Sequence, residues 1–291
     1  MSSRIATGPS TGNALAELDR LRGALDRADL VVIGAGAGLS TAAGLTYGGE
    51  RFERHFGDFI ARYRLMDMYT AGFYPFPSPE AYWAYWSRHI DINRYHRPIG
   101  PPYEDLLELM RGRDYFVLTT NVDHCFQDAG FDKGRLFYTQ GDYGLWQCAR
   151  ACHESTYDNR ETVLRMVAEQ RDLKVPADLV PRCPVCGGPM SMNLRSDDTF
   201  VQDAGWYAAC DRYEAFLRRT QGRRTLYLEL GVGGNTPGII KFPFWQMTLD
   251  NPKAAYACVN RGEALAPRRL ADRAILVDGD IAWALAALAG R

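Results

Sequence analysis

"LVVIGAGAGLSTAAG", residues 30–44, runs from an apolar segment through a glycine turn into a helical pattern. Leu30–Ile33 reads as a strand covered on both faces, since consecutive apolar residues bounded by glycine fit a buried strand. The dinucleotide fingerprint wants glycine at its first, third and sixth positions. Counted from Gly34 the sixth position is Leu39, so that fingerprint fails. What remains is a strand, a turn built from Gly34, Ala35, Gly36 and Gly38, and a helix start. Glycine lets a main chain approach a phosphate closely, and a helix N-terminus offers free N–H groups. The turn is therefore a phosphate-binding candidate, with a ligand-free tight turn as the alternative. Ser40 is a candidate phosphate contact or a helix cap.

Five further stretches repeat the strand-to-loop pattern: "YFVLTTNVD", "RLFYTQG", "TLYLELGVGG", "AYACVN" and "RAILVDGD". Helical segments separate them, and the order predicts an α/β fold with a mostly parallel, doubly wound sheet. In such sheets the ligand lies beyond the C-terminal strand ends. Those ends carry small or polar residues: Gly34–Gly36, Thr119–Asn121, Thr139–Gly141, Gly231–Gly233, Val259–Asn260 and Asp278–Asp280. "GNALAELDRLRGALDRAD" places Leu15, Leu18, Leu21 and Leu25 on one helical stripe. Ser78-Pro79-Glu80 reads as a helix start, with serine as cap and proline in the first turn. "YWAYW" and "KFPFW" read as core aromatics, with the wall of a cofactor or acceptor pocket as the alternative. The section from Cys148 to Arg195 shows little strand pattern.

The 291 residues carry 34 Lys and Arg against 35 Asp and Glu, so nothing in the charge points to nucleic acid as a partner. The longest apolar runs, such as Ala282–Ala289, are too short to span a bilayer. The N-terminal stretch lacks an apolar signal core. Seven cysteines then read as thiols and metal ligands of a cytoplasmic protein, not as a disulfide frame. Cys148 and Cys152 stand four apart, and Cys183 and Cys186 form C-P-V-C-G-G, a zinc-knuckle turn. Together they predict a structural tetrahedral Zn2+ site with no open position; His153 is a spare ligand. Cys125, Cys210 and Cys258 read as core thiols.

Taken in order, "GAGAGLSTAAG", "TTNVD", "QG", the two cysteine pairs, "GVGGN", "VN" and "DGD" resemble the sirtuin family of NAD-dependent enzymes. The resemblance implies a Rossmann-like NAD-binding domain from residues 1–48, 98–147 and 222–291. It also implies a smaller domain of a helical insertion (49–97) and a zinc-binding insertion with a connecting helix (148–221), with NAD between the two. Carried over by motif, Gly34, Ala35, Gly36, Gly38 and Ser40 hold the phosphates. Asn121 faces the nicotinamide ribose, and Asp123 holds the carboxamide. Gly231, Val232, Gly233, Asn260, Asp280 and Ile281 line the adenosine half. Asn193, Arg195 and Asp198 occupy the acyl-peptide position, where a solvated loop is the alternative.

Four departures mark a branch. Thr46-Tyr47-Gly48-Gly49 replaces Pro-Asp-Phe-Arg, Thr120 replaces a glutamine, "MSMNLRSDDTFVQD" replaces the peptide-binding stretch, and Gln140 replaces the histidine of His-Gly. With "GLTYGGERF", "NLRSDDTFV" and "GVGGNTPGIIKFPFW", the chain resembles the class M, macrodomain-linked microbial sirtuins. That resemblance implies protein ADP-ribosylation, an acceptor that is a lipoyl-carrier protein related to the glycine cleavage H protein, and a macrodomain hydrolase that removes the mark.

Chemistry favours the same direction. A deacylating sirtuin needs a general base beside the sugar, typically with a pKa near the working pH. A glutamine amide offers an acceptor and two donors but does not titrate there. It can orient an attacking group, and transfer to an acceptor draws largely on such positioning. Asn121 and Gln140 are thus the catalytic candidates. Deacylation through another base (His124 being one), NAD hydrolysis, and an inert NAD-binding sensor remain the alternatives.

Overall fold

All six expected strands join one parallel sheet. The structure is a computed structural model describing residues 5–7, 14–234 and 237–291; Gly12, Asn13, Asn235 and Thr236 from the motifs above lie outside it. In chain order, the first half contains β1 (Ile5–Thr7), α1 (Ala14–Arg27), β2 (Leu30–Ala35), α2 (Ala37–Ala42), α3 (Glu50–Tyr63), α4 (Met68–Ala71), α5 (Pro79–Ile90), α6 (Pro101–Leu109), β3 (Tyr115–Thr119), α7 (Cys125–Asp128) and β4 (Leu136–Tyr138). There follow β5 (Gly141–Cys148), β6 (Thr156–Asp158), α8 (Arg160–Glu169), β7 (Met190–Leu194), α9 (Ala204–Thr220), β8 (Thr225–Leu230), α10 (Lys241–Asp250), β9 (Ala255–Val259), β10 (Leu265–Pro267), β11 (Ala274–Val277) and α11 (Ile281–Leu288).

The large sheet has the order β11-β9-β8-β2-β3-β4. Counted within the sheet this is 3-2-1-4-5-6 read from β4, the doubly wound dinucleotide-binding order. Its direction reverses between β2 and β8, which puts a crevice where Gly36 and Gly231 emerge. Neighbouring residues of β2 serve opposite layers. Val31 and Ile33 pack with Leu18, Leu21, Tyr103 and Leu285, while Leu30 and Val32 pack with Phe116, Phe216 and Phe244. Gly34 sits within β2, where an added Cβ would come 2.3 Å from Ile240 and 2.6 Å from Phe244. It makes room for α10 and does not open onto the turn. Leu15 departs from the expected stripe: it is exposed, and Ala14 is buried in its place.

The smaller layer is an antiparallel sheet, β6-β5-β7. It begins at Gly141, ahead of the expected break after residue 147, because β5 pairs with β6 and β7 and not with β4. The two insertions share one core: Phe52, Phe56, Phe59, Trp83, Tyr85 and Trp86 pack with Trp146, Cys148, Cys183 and Met190. The Trp83 and Trp146 ring centroids are 5.0 Å apart. Ser78 caps α5 as expected, its hydroxyl accepting from Ala81 N. The connecting helix α9, grouped by sequence with the zinc insertion, instead packs Ala209 and Phe216 onto the large sheet. No described helix is long and apolar enough to cross a membrane.

Candidate active site

Where β2 and β8 end, their backbones touch. Gly36 N donates to Leu230 O at 3.0 Å and Gly38 N to Gly231 O at 2.9 Å. A Cβ on Gly36 would lie 2.6 Å from Gly231 O; one on Gly231, at φ +63°, would lie 2.6 Å from Gly38 Cα and from Leu39 N. Only glycine fits this contact, so the glycine pattern is required by main-chain packing whether or not a ligand binds.

The end of β3 folds back onto the same turn. Thr119 Oγ1 donates to Ala35 O at 3.0 Å and accepts from Asn121 N at 3.0 Å. Asn121 is buried, and its Nδ2 donates to Gly36 O at 3.0 Å, to Ser40 Oγ at 3.0 Å and, more weakly, towards the Tyr103 hydroxyl at 3.4 Å. With the amine side engaged, the Asn121 Oδ1 is left as the group able to accept from a ligand hydroxyl. Ser40 Oγ donates to Asp123 Oδ2 at 2.5 Å and lies 2.9 Å from the Tyr103 hydroxyl. Asp123 Oδ1 accepts from Cys125 N at 2.9 Å. The Ser40 hydroxyl is therefore spent on aligning Asn121 and Asp123; it is not an open phosphate contact. Burial pushes the Tyr103 phenol far above its ordinary pKa, so it stays a neutral member of this network.

One strand over, β4 pairs with β3 through Thr119 and Tyr138. Thr139 N donates to Thr119 O at 3.0 Å, which brings Gln140 to the strand end beside that of Asn121. Gln140 is half-buried, and among the described residues its side-chain amide makes no hydrogen bond. Its main-chain carbonyl accepts from Arg195 N at 3.0 Å. Next to it, Gly141 has φ +95°, and a Cβ there would fall 1.8 Å from Asn193 O. The Gln140–Gly141 and Asn193–Arg195 segments thus run in direct main-chain contact. Asn193 itself is buried, donating to Gln147 Oε1 at 2.7 Å and Val201 O at 2.9 Å. It braces the following loop and is not available to a substrate. Arg195 and Asp198 are exposed, with the Arg195 guanidinium 5.9 Å from the Phe200 ring centroid.

On the other side of β2, Gly231 N donates to Val259 O at 3.2 Å, and Asn260 Nδ2 to Val232 O at 3.3 Å. Gly233 is exposed and Val232 is buried. Asp280 departs from its expected role. Its Oδ1 caps α11 by accepting from Trp283 N at 3.0 Å, and its Oδ2 pairs with Arg261 at 3.0 Å. Ile281 turns its side chain into the core.

The four cysteines converge. Cys148 and Cys186 sulfurs are 3.7 Å apart, as are those of Cys152 and Cys183, and all four lie within 4.8 Å of one another. With Zn–S bonds of about 2.3 Å, a tetrahedral thiolate site has S···S edges of about 3.8 Å, so the donor set fits Zn2+. His153 stays outside the four, its Nδ1 3.0 Å from Cys152 Sγ and its Nε2 2.7 Å from the Tyr157 hydroxyl. Cys125 and Cys258 are buried thiols, whereas Cys210 is only partly covered.

Two histidines near the cleft are committed elsewhere. His124 directs Nδ1 at the Asp142 carboxylate. His89 is buried beneath Tyr47 and Tyr143, whose hydroxyls are 2.6 Å apart, and burial pushes its imidazole down to about 3. Sequence reasoning missed Tyr103, Tyr47, Tyr143, Asp142 and Arg97, which donates from Nη2 to Asp123 O at 2.7 Å. Of these only Tyr47 lies in a motif, "GLTYGGERF", which the sequence offered as a branch marker and not as a contact, and Asp142, two residues after Gln140, carried a positional hint.

No protein-family model matches the chain. Among solved structures it is similar to a Sir2 homologue in complex with NAD (TM-score 0.61, 16% identity, covering 94% of this chain and 92% of the other). Sir2 bound to acetylated peptide is similar at a TM-score of 0.56 and 17% identity, covering 93% and 96%. At these identities the likeness concerns the fold. The protein ADP-ribosyltransferase of Staphylococcus aureus strain Mu50 is 42% identical over 262 residues, 90% of this chain and 83% of that one. The chain belongs to the sirtuin-type protein ADP-ribosyltransferases. A second member, a probable bifunctional ADP-ribose hydrolase/ADP-ribosyltransferase of Fusarium oxysporum f. sp. cubense, is 30% identical over 275 residues. That match covers 90% of this chain and 46% of the longer protein.

Proposed function

We propose that the chain transfers ADP-ribose from NAD to a protein acceptor, releasing nicotinamide. The reading also makes the acceptor a lipoyl-carrier protein of the glycine cleavage H type, and the opposing activity a macrodomain hydrolase. The observation that carries it is Gln140: a half-buried side-chain amide with no hydrogen-bond partner among the described residues, just past the end of the strand next to that of Asn121, and an amide cannot store a proton. The name of the Fusarium relative, which joins an ADP-ribose hydrolase to the transferase, supports the proposed opposing activity.

The crevice suits a dinucleotide. Gly231, Gly233 and Asn260 offer backbone and amide groups at the β8 and β9 ends for the adenosine half, and the Gly36–Gly38 turn offers a close backbone approach for the phosphates. NAD supplies an activated bond between its ribose and nicotinamide. Asn121 orients the sugar through its free Oδ1. Asp123, whose carboxylate oxygens keep further acceptor capacity, takes the carboxamide N–H. Gln140 orients the attacking group of the acceptor, and Arg195, tied through its backbone to Gln140, recognises an acidic partner. The four thiolates would hold Zn2+ as a structural tie, away from the reacting atoms.

Incubation with labelled NAD, the lipoyl carrier and an acetylated peptide separates the readings. Label on the carrier is the expected result. O-acyl-ADP-ribose would establish a deacylase, free ADP-ribose with an unlabelled carrier a hydrolase, and intact bound NAD a sensor.

A further inference from the structure

His124 follows Asp123 directly and holds φ 66° and ψ 15°, the left-handed conformation that side chains with a Cβ rarely adopt. Such a conformation is strained and persists where the surroundings impose it. Here the imposing contact is visible. His124 Nδ1 meets Asp142 Oδ2, while Asp142 Oδ1 accepts from Gly144 N at 2.7 Å and from Arg94 Nε at 3.2 Å. The Asp142 side chain is 5% exposed, that of His124 24%. Burial raises the Asp142 carboxyl pKa, but the His124 hydrogen bond and Arg94 outweigh it and keep the group ionised.

The two residues belong to different layers. His124 closes the loop that carries Asn121 and Asp123 at the end of β3. Asp142 lies on β5 in the small sheet, two residues after Gln140. Towards the two insertions the same loop is fastened by two further ties: Tyr143 N donates to Val122 O at 2.9 Å, and Arg97 donates to Asp123 O. Among these ties only the His124–Asp142 contact is made by a side chain of the loop itself. We propose that His124 and Asp142 form a strap that sets Asn121 and Asp123 relative to Gln140, making His124 a positioning residue for ADP-ribosyl transfer and not its base. The inference rests on the transfer reading of the same site.

Four variants test it. His124→Gly keeps the backbone conformation without strain and removes the donor. His124→Asn tolerates the same backbone, and its Nδ2 occupies the place of the imidazole Nδ1, so the strap is rebuilt without any group that titrates. Asp142→Asn weakens the strap from the other side, and His124→Gln sends its amide one bond too far. The His124→Gly and His124→Gln variants should lower kcat by roughly 10- to 100-fold with little change in the KM for NAD, as expected when reacting groups are misplaced; Asp142→Asn should fall between these and wild type. His124→Asn should recover most of the rate. Backbone hydrogen exchange over residues 119–128 should quicken in His124→Gly and return to the wild-type pattern in His124→Asn. An Asn variant as slow as the Gly variant would overturn the proposal in favour of proton chemistry at the imidazole. Unchanged exchange in the Gly variant would overturn it outright. If the wild-type protein transfers nothing, the transfer reading fails, and the exchange experiment still decides whether the strap exists.

Discussion

The large parallel sheet and the small antiparallel one keep their shape by different means. Strands β2, β3 and β8 are buried along their whole length between two apolar layers, and fully burying one aliphatic side chain in such a layer contributes about 1.5–3 kcal/mol. Only β5 of the small sheet approaches that burial. Strand β6 is half-exposed, and the hairpin ends meet at four thiols, two of them exposed. The first sheet stands on its own apolar contacts. The second shares the aromatic core of the insertions and ends in a four-cysteine cluster that fits a metal, yet it begins at Gly141, directly after Gln140, and carries the loop with Arg195.

That contrast can be broken most forcefully at the cysteines. Cys183→Ser should reduce bound zinc from about one per chain to none and abolish transfer. Thermal unfolding should split, with the small module melting ahead of the large sheet; a single unshifted transition with normal zinc would contradict the contrast. Next in size is Asn121→Ala, which should lower transfer by more than roughly 10²-fold while melting stays within about 5 °C of wild type. Wild-type rates would remove Asn121 from the site. Gly231→Ala tests the large sheet where it has no slack. Its Cβ clash and positive φ should cost about 2 kcal/mol or more, seen as a lower denaturant midpoint and weaker NAD binding.

The last effect is confined to acid pH and leaves neutral pH nearly untouched. Burial pushes the folded His89 imidazole down to about 3, below its unfolded value of about 6.5, so the unfolded chain binds the extra proton between those limits. Its contribution is whole above pH 6.5 and is lost as pH falls towards 3. His89→Phe should flatten the fall in stability over that window and leave stability at pH 8 nearly unchanged. An identical acid profile in the variant would mean that this imidazole is hydrated.

The parallel strands were legible because burial on both faces leaves continuous apolar runs such as "LVVI" and "LYLEL". The small sheet was not. "GDYGLWQC" mixes glycines, a buried aspartate and aromatics, because β5 serves the cysteine site, the aromatic core and the cleft together. Asn121 and Gln140 could be found from their places at strand ends. Their supports could not: Tyr103 lies 63 residues from Ser40, and Asp142 reaches His124 across two layers. Asp280 was open to misreading, since an aspartate after a strand serves equally well as ligand or helix cap.

Gly141 has an evolutionary consequence. Because its backbone lies flush against that of Asn193, position 141 accepts no side chain, whereas the exposed residues from Arg195 to Asp198 meet no such limit. Substitution should therefore be tolerated from Arg195 to Asp198 far more readily than at Gly141.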